Sequence, residues 1–319
     1  MRFALMIEPQ QGLTYAEQLA IARRAESLGF ETLFRSDHYE SFPGAAGNPT
    51  TDAWAVLAGL ARETSTIRLG SLVSPAIFRT PGNLAKVVAT VDEMAGGRIE
   101  VGVGAGWHAH EHEAHGFPFP PMEERAERLE ETLEILHGLW EGPDGWSFEG
   151  LHYTVKDACF RPKPGSLPAR NGGRPNIITG GTGTPRGYRI AARYADEFNL
   201  SSSSPDEAQL KFARVDEACR AIGRDPATLT HSVMAGVLIG RDAAELERRT
   251  ANLAEAFGGA DEEFSGWIEQ RAPRWVYGTL DEARAAVERF EATGAARLML
   301  QDFLPRDLEM IDLMAEALF

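Results

Sequence analysis

Arg98-Ile99-Glu100-Val101-Gly102-Val103-Gly104-Ala105-Gly106-Trp107-His108-Ala109-His110-Glu111-His112 carries the decisive transition of this chain. Residues 99–103 are a short apolar-rich run of strand type. Gly104-Ala105-Gly106 is a turn that only small residues can make while leaving backbone N–H groups open to a ligand. Trp107 follows at the mouth of that turn, and His108, His110, His112 and His115 come within the next eight residues. A decorated loop just past a strand, with a long helix behind it, is how an α/β fold presents a site.

Outward from this stretch the same rhythm recurs. Toward the N-terminus, residues 3–7 are strand-like, 14–28 have helical spacing and stop at Gly29, and 32–34 lead into Ser36-Asp37-His38. A helix over 51–64, a strand over 67–73 and a helix over 82–94, ended by Gly96-Gly97, complete that half. Toward the C-terminus a helix spans 122–140, with Leu129, Leu133, Leu136 and Leu139 on one face. Residues 142–173 break the pattern with many Gly and Pro residues and read as an insertion containing a hairpin. The rhythm returns with a strand over 176–179 that meets Gly180-Gly181-Thr182-Gly183, and a helix over 185–194. A strand over 197–200 precedes a helix over 205–222, for which Ser203 or Ser204 is the N-cap. Then come a strand over 231–239, helices over 242–257, 261–270 and 280–293, a strand over 297–301 and a closing helix over 308–318.

Strands alternating with helices predict an α/β chain with a parallel sheet. Eight such units in 319 residues fit a (β/α)8 TIM-like barrel with an insertion after the helix that follows strand four. An open doubly wound sheet is the runner-up. No linker divides the chain, so 1–319 reads as one barrel domain, with 142–173 over or beside the mouth. The formal charge of −15 and the lack of a Lys/Arg tract argue against nucleic acid as a partner. No apolar run approaches the ~20 residues of a membrane span. Cys159 and Cys219 form no CxxC, which fits a reducing, cytoplasmic home.

A barrel places its site at the C-terminal ends of its strands. Those ends hold Glu8, Asp37-His38, Ser71 to Ser74, Gly104 to Trp107, Gly180 to Thr182 and Asn199 to Ser201. Two glycine turns, each between a strand and a helix, make a phosphorylated ligand a reasonable occupant. Neither is a Walker motif, because no GK[ST] follows, and neither is a clean dinucleotide fingerprint. His108-Ala109-His110-Glu111-His112 matches the H-x-x-E-H pattern of some zinc proteases, so a metal-dependent hydrolase using the 108–115 cluster is a rival reading. The plain alternative is a polar loop in which Glu111 and His112 fix their own backbone.

Taken together these residues resemble the bacterial luciferase-like monooxygenase superfamily, and within it the oxidoreductases that use the deazaflavin coenzyme F-420. The resemblance rests on Gly102-Val103-Gly104-Ala105-Gly106-Trp107, Glu111-His112, Gly116-Phe117-Pro118-Phe119-Pro120 and Glu124-Arg125. Phe148-Glu149-Gly150, Arg161-Pro162-Lys163-Pro164 and the stretch from Gly180 to Asp196 extend it. It implies a cytoplasmic, usually homodimeric enzyme that transfers a hydride between coenzyme F-420 and a small organic substrate. The alternative within the superfamily is a monooxygenase using FMN and oxygen, and a non-catalytic flavin-binding protein is a third reading. The resemblance places Asp37 and His38 at the ring and a non-proline cis peptide at Ser71–Leu72 beneath it. Ala105, Gly106 and Trp107, with Gly180, Gly181 and Thr182, hold the cofactor through backbone. Some relatives carry a glutamate proton donor where this chain has Trp107, which leaves His38 or Glu8 to carry the catalytic proton.

Overall fold

The computed structural model describes residues 1–42, 44, 46–165, 173–259 and 261–319. Its strands are β1 (Arg2–Ile7), β2 (Thr32–Arg35), β3 (Arg68–Pro75), β4 (Ile99–Gly104), β5 (Trp146–Glu149) and β6 (Thr154–Ala158). They continue with β7 (Asn176–Gly181), β8 (Glu197–Ser201), β9 (Thr230–Gly240), β10 (Val276–Thr279) and β11 (Arg297–Asp302). Parallel pairing runs β1-β2-β3-β4-β7-β8-β9-β11 and returns from β11 to β1. The β8–β9 ladder, from Glu197↔Thr230 to Ser201↔Met234, joins the two ends of what would otherwise be an open sheet. The fold is a (β/α)8 barrel, and its eight strands are the eight expected from the sequence.

A ninth parallel strand was not foreseen. β9 is 11 residues long, and its end, Val237 to Gly240, runs past the barrel and pairs with β10. β10 has only four residues, and Gly278 interrupts them, so it is too short to show a strand period of its own. The helices begin where their caps say they should. Thr14 and Glu17 form a capping box ahead of the helix Tyr15–Leu28. Ser204, the second of the two candidates, does the same with Glu207 for Pro205–Ala221.

The barrel interior changes character along its axis. At the N-terminal end Arg297 is fully buried between Glu100 (2.7 Å) and Glu197 (2.5 Å), and Arg68 reaches Glu100 at 2.8 Å. Above this ionic floor lies an apolar layer of Ala4, Met6, Phe34, Leu72, Ile178 and Met299. The C-terminal end is polar again, with Glu8 accepting from Gln10 (2.8 Å) and Gln301 (2.5 Å). Side chains thus plug the barrel from below, and only its C-terminal face is open to chemistry.

The insertion forms the expected hairpin, β5 with β6, while its residues 166–172 lie outside the described residues. It packs along the helix Met122–Glu141. Glu131 accepts from the amides of Leu151 (2.7 Å) and Tyr153 (2.9 Å), pinning the hairpin turn. The Trp146 ring lies so close to Gly138 that a Cβ there would meet it at 1.9 Å.

Asp302, at the end of β11, gives a test of this packing. It is fully buried, its Oδ1 accepts from Leu304 N–H at 2.8 Å, and among the described residues its Oδ2 has no partner. Burial, reinforced by Asp307, pushes its carboxyl up to about 7. A raised carboxyl binds its proton more tightly in the fold than in the unfolded chain. A stability penalty therefore builds as pH rises from the ordinary carboxylate range to about 7 and stays constant above. Asp302→Asn removes it. We expect the variant to gain on the order of 1–2 kcal/mol at pH 8, after allowance for relaxation, and much less at pH 4.5. Equal melting shifts at the two pH values would contradict this account.

Candidate active site at the barrel mouth

The rim is built by the chain leaving four neighbouring strands. After β2, the side chains of Arg35, Ser36 and Asp37 are all buried. Arg35 is spent on Gln18 (3.1 Å) and the Thr51 carbonyl (2.9 Å). Asp37 accepts from Ser74 Oγ and from Arg79, both at 2.6 Å, and Arg79 also binds Asp52 at 2.5 Å. The Asp37 carboxylate is therefore committed to an ionic network that ties β2 to β3, and it supports the rim instead of presenting a free acid to it.

His38 is different. Its Nδ1 lies 2.9 Å from Glu111 Oε2, and among the described residues its Nε2 meets no hydrogen-bond partner. Its ring stands edge-on to Phe42 at 4.6 Å and to Trp107 at 5.9 Å. Glu111 is fully buried and also accepts from the amides of Tyr39 and Glu40. Burial alone would raise its carboxyl. The hydrogen bond and charge of His38, with those amides, outweigh burial and hold it below the usual range. An anionic Glu111 fixes the imidazole orientation and leaves Nε2 pointing to its free side.

The sequence reading of the 108–115 segment needs correcting here. The segment contains a short helix, Ala109–His115, and Glu111 fixes the backbone of the loop after β2 instead of its own. His112 does bind its own backbone, through Nδ1 to the His108 carbonyl at 2.8 Å. His108 Nε2 faces Glu40 at 2.9 Å, so the two imidazoles of the H-x-x-E-H pattern serve different partners. Among the described residues no group of three His, Cys, Asp or Glu side chains converges as a metal site. Burial lowers the His112 pKa, and its Nε2, buried and without a partner among the described residues, lies beneath Gly106, 3.4 Å from where a Cβ of that glycine would sit.

β3 and β4 lose register between Ser71↔Val101 and Ser74↔Val103. The cis peptide lies at Leu72–Val73, one residue later than the resemblance implies. Ser71 is fully buried, its hydroxyl donating to the Gly102 carbonyl at 3.3 Å, and Leu72 faces the barrel interior. Val73 therefore occupies the bulge facing β4. A Cβ at Gly102 would meet its Cγ1 at 2.7 Å, and one at Gly104 would meet its Cγ2 at 2.6 Å. Only glycine allows β4 to run this close.

The two glycine turns leave adjacent parallel strands, β4 and β7, at the same rim. Gly106 holds φ +81, Ala105 is half-buried and Trp107 is 63% exposed. In the second turn Gly181 has φ +141 with nothing within 4 Å of a Cβ placed there, while at Gly180 a Cβ would strike the Asn199 carbonyl at 2.1 Å. Thr182 is exposed.

One residue quoted for the resemblance, but given no role from the sequence, stands beside the first turn. Arg125 donates from Nη1 to the Gly106 carbonyl (2.5 Å) and lies 4.0 Å over the Phe119 ring. Its residue is 7% exposed, and among the described residues its Nε has no partner. Burial lowers its pKa, and among the described residues no carboxylate counters that effect. A buried cation without a counter-charge is costly, and here it adjoins a turn whose amides suit an anion. A separate cleft of about 680 Å³ opens at the β1–β11 side between Leu13, Asn48, Asn252 and Phe303, and shares no lining residue with the glycine turns.

Comparison with known proteins agrees with this geometry. The family model described as luciferase-like monooxygenase matches residues 1–304. An F420-dependent glucose-6-phosphate dehydrogenase of Microbacterium testaceum is 33% identical over 185 residues, covering 57% of this chain and 52%, about half, of that relative. An FMNH(2)-dependent dimethylsulfone monooxygenase of Pseudomonas putida is 32% identical over 249 residues, covering 76% of this chain and 62% of the relative. Among solved structures, an F420-dependent secondary alcohol dehydrogenase in complex with an F420-acetone adduct superposes with a TM-score of 0.82 at 21% identity. That match covers 99% of this chain and 98% of the other, and carries the fold alone.

Proposed function

The chain belongs to the luciferase-like monooxygenase family, and from that premise we propose that it is an oxidoreductase moving a hydride between coenzyme F-420 and a small organic substrate. The observation that carries this reading is the cradle of Gly104-Ala105-Gly106 and Gly180-Gly181-Thr182 on adjacent strands, with the uncompensated Arg125 beside it. Three features fit a ring-bearing anionic cofactor: the orphaned Arg125 Nε, the close β3–β4 approach at Gly102 and Gly104, and the open space over Gly181. Arg125 and the amides of Ala105, Gly106, Gly181 and Thr182 would hold the phosphate, and the Leu72–Val73 bulge would support the ring. When bound, the deazaflavin supplies a carbon that accepts or gives a hydride and does not activate oxygen.

The chain's own residues set the geometry and move the proton. Trp107 stands edge-on to both His38 and Phe42 at the mouth, so the proton-carrying imidazole has an aromatic wall on one side. His38 Nε2, oriented by Glu111, gives a proton to the substrate oxygen as hydride arrives, or takes it in the reverse direction. Glu8 is the second candidate, but both its oxygens already accept from Gln10 and Gln301. Equilibrium titration of the purified protein with F-420 and with FMN tests the assignment. We expect F-420 to bind at least tenfold more tightly, a difference of about 1.4 kcal/mol. Tight FMN binding with no F-420 binding would replace this reading by the FMN monooxygenase.

A further inference from the structure

The glycine turn after β7 has a second cation on its far side. Lys211, on the helix Pro205–Ala221, donates from Nζ to the Ser203 hydroxyl at 3.0 Å. Its stem lies against the turn: a Cβ at Gly183 would be 3.2 Å from Lys211 Cδ and 2.7 Å from the Tyr188 hydroxyl. Among the described residues no carboxylate pairs with Lys211. Glu207, one turn earlier on the same helix, feels its charge but gives its own oxygens to the Ser204 amide (2.9 Å) and to Arg274 (3.0 Å). Ser203 is fully buried beneath the ammonium, and Ser202 beside it holds φ +50, in the left-handed region.

The rim order is therefore Arg125 by the β4 turn, then the β7 turn, then Lys211 with Ser203 and Tyr188 by the β8 turn. One phosphate needs one of these cations. A cation at each of two neighbouring glycine turns matches a ligand whose anionic groups are spread along a chain. The side chain of F-420 continues past its phosphate into lactyl and glutamyl carboxylates, whereas FMN ends at its phosphate. We propose that Lys211, with the Ser203 and Tyr188 hydroxyls, is a subsite for the carboxylate tail of F-420, and that it selects F-420 over FMN. This rests on the F-420 reading above and assigns the residue that enforces it.

Three probes separate the terms: intact F-420, the same deazaflavin chromophore with only its ribityl chain, and FMN. Binding is followed by chromophore fluorescence in the wild type, Lys211→Ala and Lys211→Arg. Lys211→Ala should weaken intact F-420 about tenfold at low salt, as expected for one charge-assisted contact. It should leave the other two probes unchanged. Lys211→Arg should restore most of the affinity, and the salt dependence of F-420 binding should be shallower in the alanine variant. Equal F-420 affinity in wild type and Lys211→Ala overturns the proposal, as does an equal loss for all three probes. If the wild type itself prefers FMN, the functional assignment falls with it, and that result appears in the wild-type titration before any variant is made.

Discussion

Replacing Arg297 with methionine is expected to cost about 3–5 kcal/mol of unfolding free energy, the range for breaking a buried ion pair by removing one partner. The loss falls unevenly on the two carboxylates. Glu100 keeps Arg68 at 2.8 Å and the Thr32 hydroxyl at 3.1 Å. Among the described residues, Glu197 would keep one hydrogen bond, from the Asn176 amide at 3.3 Å, with the Arg2 charge acting from farther off once the guanidinium is gone. Most of the penalty should therefore be the stranded Glu197 charge, and Glu197→Gln in the Arg297→Met background should recover a large part of it. pH gives an independent check. In the wild type burial acts to raise Glu100, but Arg297 and then Arg68 hold it down to about 2. A depressed carboxyl contributes stability above its unfolded value and loses it as pH falls through the folded one, so the wild type weakens between about 4.5 and 2. The variant should instead recover relative to wild type on acidification, because the stranded carboxylate can take up a proton. Urea unfolding at pH 8 and pH 4.5 measures both effects. A deficit that does not shrink in acid would place the cost in lost packing.

The same floor shows what the sequence hides. Each barrel strand was legible because a short apolar run gives way to glycine or polar residues and a helical period follows. Those are local signals, and they fail at β10, whose pairing depends on the overlong end of β9. The site divides in the same way. The glycine turns were readable because few other residues make them. The partners that decide what the polar residues do were not, since Asp37 with Arg79 and His38 with Glu111 are joined across 42 and 73 positions. Nothing in Ser71-Leu72-Val73-Ser74 marks which bond is cis, and the register slip that marks it is a property of two strands together. Arg125 lies one helical turn into an amphipathic helix, where an arginine usually signals only a solvated face. Its meaning comes from what surrounds it: an aromatic ring, a carbonyl and, among the described residues, no acid.

That setting makes the effect of Arg125→Met unusual in sign. In the cofactor-free protein the substitution removes a buried charge that no carboxylate among the described residues offsets, and the thioether keeps the packing against Phe119. Against this stands the loss of one hydrogen bond to the Gly106 carbonyl, worth about 1 kcal/mol or somewhat more for a charged donor. The two nearly cancel, so the melting temperature should fall by no more than about 2–4 °C, or rise. Binding behaves differently. The guanidinium that burial has partly stripped of water is already oriented, and an anionic group at the turn would meet it with little further desolvation. Losing it should raise the dissociation constant for F-420 by about 30- to 100-fold, or roughly 2–3 kcal/mol. The ribityl-only chromophore, which has no phosphate, should bind the variant as it binds the wild type. A residue kept for stability would lower the melting temperature and weaken both ligands together. A residue kept for the anion, at some expense to the empty protein, weakens only the phosphorylated one. Unchanged F-420 affinity in Arg125→Met, with the fold intact, would remove the phosphate from this turn and with it the strongest support for the assigned chemistry.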